Sequence, residues 1–120
     1  DAWLQTVHHS DDEMLARVQH YDYIYDLFLI DLAGNIVYTV KHESDLGENL
    51  FTGTLWNSRF SKATKASLKS GQPLFSGVEY YLPSNNVLAG FITTPIYNKL
   101  GEIIGVLAVQ LRMGKFFLVI

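Results

Sequence analysis

The chain has 120 residues, 48% apolar and 18% charged, with no cysteine and a net charge of −3. That length supports one hydrophobic core and not two, and the missing thiols exclude disulfides, thiolate zinc sites and cysteine nucleophiles together. The charge is uneven, with ten acids against three bases in residues 1–60 and two against six in residues 61–120, yet neither half is basic enough for a nucleic-acid footprint.

Residues 1–9 have weak helical spacing, with Trp3, Leu4 and Val7 to one side. Ser10-Asp11-Asp12-Glu13 then forms a capping box with acids in the first turn. Met14, Leu15, Val18 and Tyr21 continue it as an apolar stripe, so a helix over 10–21 is expected to lie across a sheet. The stretch from Asp26 to Val40 is two β-rich apolar runs around Gly34-Asn35 and reads as an antiparallel hairpin. Leu27 to Ile30 is apolar at every position, which marks a central strand covered on both faces. Residues 41–53 are polar, with three acids, and read as a loop. A second helix is expected from Asn57-Ser58, with Phe60, Ala63, Thr64, Ser67 and Leu68 on one side and Arg59, Lys62, Lys65 and Lys69 on the other, stopping at Gly71 before Pro73. Strand candidates follow at Leu74–Leu82, Ala89–Tyr97 and Glu102–Met113, with a turn at Pro83-Ser84-Asn85-Asn86. No run reaches the roughly eighteen apolar residues of a membrane span, and no signal-peptide pattern opens the chain. Its end, Phe116 to Ile120, is wholly apolar, as expected of a piece of a longer protein.

This order predicts one α+β domain over 1–120, with the sheet and second helix in 26–113. A crossover helix between a hairpin and a three-stranded meander gives a five-stranded antiparallel sheet of order 2-1-5-4-3. The N-terminal helix would cover one face; loop 41–53 and the short helix would cover the other. A face closed by a loop is expected to leave a cavity for a small ligand.

The residues Tyr25 to Asp31, Gly34 to Lys41 and Glu43 to Leu50 resemble the Cache (PAS-like) sensor domains of bacterial transmembrane receptors. So do Tyr80 to Ser84 leading to Ala89–Ile92 and Pro95–Tyr97, and the run Gly101 to Leu111. The resemblance covers about residues 20–113. It implies an extracytoplasmic, periplasmic module that binds a small molecule and signals through flanking membrane helices, in a homodimeric chemoreceptor, histidine kinase or diguanylate cyclase. The family's amino-acid-binding signature does not map onto this chain, since Trp56 and Arg59 occur in reverse order.

Trp56 and Arg59, one helical turn apart, offer an aromatic wall and a guanidinium for a carboxylate ligand; otherwise Trp56 is core and Arg59 solvated. Tyr38, Tyr80 and Thr93 complete the candidate ligand-binding set. Tyr80 faces the helix only if Glu79 and Tyr81 do not, and either Thr93 or Thr94 points inward. His8, His9, His20 and His42 lack metal-ligand spacing, and Glu43, Asp45 and Glu48 lack the EF-hand pattern and read as a solvated loop, so no metal is expected. No nucleophile elbow or phosphate loop supports catalysis. No cofactor is expected either, because the second helix has no axial histidine for haem. The rival to a sensor is a cytoplasmic PAS-like interaction domain that dimerises without a metabolite.

Overall fold

The computed structural model describes residues 23–114. The expected helix over 10–21, the histidines at 8, 9 and 20 and the apolar end 115–120 lie outside the described residues. Five strands, β1 (Ile24–Ile30), β2 (Ile36–Thr39), β3 (Leu74–Tyr81), β4 (Val87–Tyr97) and β5 (Ile103–Arg112), and one helix, α1 (Arg59–Ser70), follow in the expected sequence. The sheet is antiparallel, in the order β2-β1-β5-β4-β3.

Local chemistry sets each boundary. Asp31 Oδ1 accepts from Ala33 and Asn35 N–H and so closes the β1–β2 turn. Gly34 is required there, because its φ is +94° and an added Cβ would meet the Phe51 ring at 2.5 Å. Ser58 caps α1 by accepting from Ser61 N–H, and Gly71 ends it in the left-handed conformation. Pro95 is tolerated inside β4 because the pairing with β3 reaches only Thr93, so no partner on that side needs its N–H.

Cross-strand register sorts the sheet's two faces. Phe28 of β1 lies opposite Ala108 of β5, and Ala108 opposite Thr93 of β4. In the next row Asp26 faces Gln110, and Gln110 faces Phe91. This face is covered by α1. Phe60 of α1 stacks on Phe91 with ring centres 3.9 Å apart and meets Phe28 edge-on at 5.1 Å; Tyr81 meets Phe91 edge-on at 4.9 Å. The opposite face carries a second cluster of Leu29, Tyr38 and Val40.

Loop 41–53 is more ordered than a polar stretch suggests. Ile36 N–H donates to Glu48 C=O, Gly47 N–H to Ile36 C=O and Leu50 N–H to Gly34 C=O, at 2.8–2.9 Å, so the loop runs alongside β2. Leu50 joins the core and Asp45 is fully buried. The space expected to be a cavity beneath this loop holds Leu50, Phe28 and Phe60 instead. Four aromatic side chains on this face, Phe28, Phe60, Tyr81 and Phe91, fill more volume than the alternating pattern reveals.

Candidate functional site

A concavity lies elsewhere, on the flank where α1 meets β3. Arg59, Lys62, Ala63 and Ala66 form its helix wall and Leu74, Phe75 and Ser76 its strand wall, around about 310 Å³. That volume is at the small end of metabolite pockets, which start at about 300 Å³. Alanines at 63 and 66 open the wall, one turn of helix apart. The Arg59 side chain lies across Gly77, where an added Cβ would come within 3.3 Å of the guanidinium. Among the described residues neither Arg59 nor Lys62 makes an ion pair, so two cations line the cleft without a counter-charge, while the half-exposed Phe75, paired with Ile92, turns its ring to the sheet's other face over Gly90. The Glu79 carboxylate is already engaged, accepting from the Arg59 and Phe60 N–H groups at 2.9 and 3.0 Å. It thereby caps the helix and fixes where Arg59 begins.

A second polar constellation is buried at the β1 end of the same sheet face. Asp26 Oδ1 accepts from Leu27, Val40 and Lys41 N–H at 2.8–3.0 Å, just past the end of β2. Tyr81 donates to Asp45 Oδ2 at 2.8 Å and Ser84 to Glu43 Oε1 at 2.7 Å, while Tyr25 donates to Glu43 Oε2. Gln110 Nε2 donates to Ser84 Oγ at 3.0 Å. Burial dominates the acid–base character here. It pushes the Asp26 carboxyl up to about 7 against the lowering effect of its backbone donors, and it raises Asp45 as well. Burial and the Glu43 hydrogen bond push the Tyr25 phenol up to about 12, and burial with the nearby Asp45 charge raises Tyr81.

No protein-family model and no curated protein sequence matches this chain. Among solved structures, the sensor domain of the Vibrio cholerae histidine kinase DctB superposes with a TM-score of 0.69 at 18% identity, covering 89% of this chain and 38% of that one. An extracellular ligand binding receptor from Desulfohalobium retbaense gives 0.60 at 18% identity, over 81% of this chain and 17% of that one. The ligand-binding domain of the Pseudomonas aeruginosa amino acid chemoreceptor PctC, in complex with GABA, gives 0.56 at 11% identity, over 95% and 57%. The chain thus spans well under half of the first two.

The fold is that of Cache-type, PAS-like sensor domains.

Within this Cache fold the five candidate ligand residues do not converge. Arg59 lines the cleft. Trp56 sits in the turn before α1, 59% exposed, and is not part of its lining. Tyr80 points outward and is 70% exposed, because register puts Glu79 and Tyr81 on the helix side. Tyr38 is buried on the opposite face with Leu29 and Val40. Thr93 does point inward, but its hydroxyl is closed off by Ser67 Oγ at 2.6 Å. Of the acids read as solvated, Glu43 and Glu48 are half-buried, Glu43 accepting from Tyr25 and Ser84, and Asp45 is buried and folds under Tyr81.

Sequence reasoning missed Lys62, Phe75, Asp26 and Gln110. The last two had a signal. A lone acid at the head of an apolar β1 and a lone glutamine inside an apolar β5 are polar groups on strands buried on both faces, and such groups need partners.

Proposed function

We propose that this chain is the small-molecule-sensing domain of a bacterial membrane signal-transduction protein, placed outside the cytoplasm, and that its ligand is a small carboxylate held in the α1–β3 cleft. The observation that carries the reading is the pairing of two cations without counter-charge, Arg59 and Lys62, in a metabolite-sized concavity. A guanidinium binds a carboxylate through two parallel hydrogen bonds, and the ammonium beside it adds charge without geometric demand. The Cache fold supports the assignment through the company it keeps, which includes a histidine kinase sensor domain and a chemoreceptor domain in complex with GABA.

Signalling then follows from differential affinity. A ligand that bridges α1 and β3 favours the arrangement in which the two are drawn together, and it shifts the population only by that preference. Segments flanking the described residues carry the bias to membrane helices and to a partner copy of the receptor. No helix among the described residues is itself long and apolar enough to cross a membrane.

Thermal unfolding of the domain against amino acids, dicarboxylates, amines and purines tests this reading. One carboxylate class should raise the melting temperature, by an amount equivalent to about 2.7 kcal/mol at a hundred times its dissociation constant. Arg59→Ala should remove that rise. A second reading draws on the exposed Phe75, Ile92, Tyr80 and Leu82 on β3, β4 and the turn between them, which suit a protein–protein interface of a cytoplasmic PAS-like module. It gains if no ligand class shifts the melting temperature while the mass in solution rises with concentration.

A further inference from the structure

Three acceptor oxygens at the β1 end of the helix-covered face are buried with no hydrogen-bond donor: Asp26 Oδ2, Asp45 Oδ1 and Gln110 Oε1. All three residues are fully buried. Asp26 and Gln110 stand directly opposite each other across β1 and β5. Gln110 is joined through Ser84 to Glu43, and one oxygen from each of Asp26, Glu43 and Asp45 lies within 4.8 Å of the others.

The local donors are already committed. Tyr81 is on the other oxygen of Asp45, the backbone N–H groups of Leu27, Val40 and Lys41 are on the other oxygen of Asp26, and Tyr25 and Ser84 are on Glu43. Lys41 and Arg112 lie over the Tyr25 ring, 5.1 and 5.2 Å from its centre, and neither reaches the three orphan oxygens. A buried acceptor without a donor forfeits its hydration and gains nothing in return. The Gln110 amide is the decisive member, because a proton shared between two carboxyls satisfies acids and leaves an amide oxygen unmatched.

We propose that this nest binds a hard divalent cation of calcium's type, held by Asp26, Glu43, Asp45 and Gln110. Among the described residues every available ligand atom is oxygen, with no imidazole beside it, and the chain has no cysteine, which selects against the softer transition metals. The carboxylate oxygens of Asp26, Glu43 and Asp45 are close enough to reach one ion at about 2.3–2.6 Å, the calcium distance, and Gln110, opposite Asp26, supplies the neighbouring amide oxygen. Magnesium keeps much of its own water and is seldom held by an all-protein cage, whereas Asp26, Asp45 and Gln110 are fully buried and Glu43 is half-buried. The cation removes the burial penalty that otherwise drives Asp26 and Asp45 toward protonation. It also fastens loop 41–53, through Glu43 and Asp45, to β1 and β5. The proposal stands apart from the cleft and from any ligand there.

The test uses the metal-stripped 120-residue chain. Calcium chloride should raise its melting temperature saturably, magnesium chloride much less, and potassium chloride at matched ionic strength not at all. Asp45→Asn should fold, since it relieves repulsion and keeps an acceptor for Tyr81, and it should lose the calcium response. As a readout independent of stability, terbium added to the wild-type chain should emit on tyrosine excitation, because Tyr25 and Tyr81 bond to the proposed ligands, and calcium should displace it. Absence of any calcium-specific rise, an Asp45→Asn chain that responds like the wild type, or terbium emission unaffected by calcium would each overturn the proposal.

Discussion

Two neighbouring patches of one sheet face differ in how completely their groups are satisfied. Phe28, Phe60 and Phe91 pack on one another and on the aliphatic core, and the buried hydroxyls of Ser61, Thr64, Ser67 and Thr93 beside them are hydrogen-bonded. Beside them, in the row that includes Phe91, Asp26 and Gln110 hold acceptors that nothing in the described chain meets. Close packing is enough to explain the first patch. The second makes sense only with something added, and the contrast separates what keeps the domain folded from what the domain binds.

Breaking the packed patch should give the largest effect. Phe60→Ala removes the stacked ring at the centre of the cluster and should cost about 3–5 kcal/mol in urea unfolding, the range for deleting a core phenylalanine. A cost below about 1 kcal/mol would mean that the cluster is looser than drawn.

The polar patch should announce itself in the pH profile. Asp26 has an ordinary value of 3.8 and is held near 7 in the folded domain, mainly by burial. A folded value above the unfolded one means that the folded state binds the proton more tightly. Its contribution is therefore fully present below about pH 3.8 and lost as pH rises through about 7. The urea midpoint of metal-stripped protein should fall across that window, and Asp26→Asn should flatten the fall. A flat wild-type profile would count against desolvation as the controlling influence.

At the β3 edge, the Glu79 carboxylate ties β3 to the start of α1. Glu79→Ala should cost about 1–2 kcal/mol, as loss of a charged helix cap does, and should weaken any carboxylate response because Arg59 begins that helix. Circular dichroism melts with and without ligand measure both. Tyr80→Ala should change stability by less than about 0.5 kcal/mol, as expected of an exposed site, and should leave ligand response intact. A lost response would return Tyr80 to the site.

The fold was legible because its signals are local. Ser58 and Gly71 bracket α1, Gly34-Asn35 turns the hairpin, and the apolar runs of β1 and β5 identify two of the three inner strands. What could not be read depends on contacts distant in sequence or on register. Whether Tyr80 or Tyr81 faces inward turns on an irregularity between Phe75 and Val78, where Gly77 adopts a φ of +82°. One such residue flips every side chain beyond it. Asp45 is polar by composition and buried only because Tyr81, 36 residues away, reaches it. The cleft escaped notice for the opposite reason: it is made by the small size of Ala63 and Ala66, and the eye goes to large residues.

The account's central claim is that a small carboxylate docks between α1 and β3. An NMR titration of the ¹⁵N-labelled domain with the carboxylate that most raises its melting temperature measures this most directly. Amide shifts concentrated in residues 59–66 and 74–77, and abolished in Arg59→Ala, are the predicted result. Shifts confined to β2 and the far face around Tyr38, or none at saturating ligand, would contradict it.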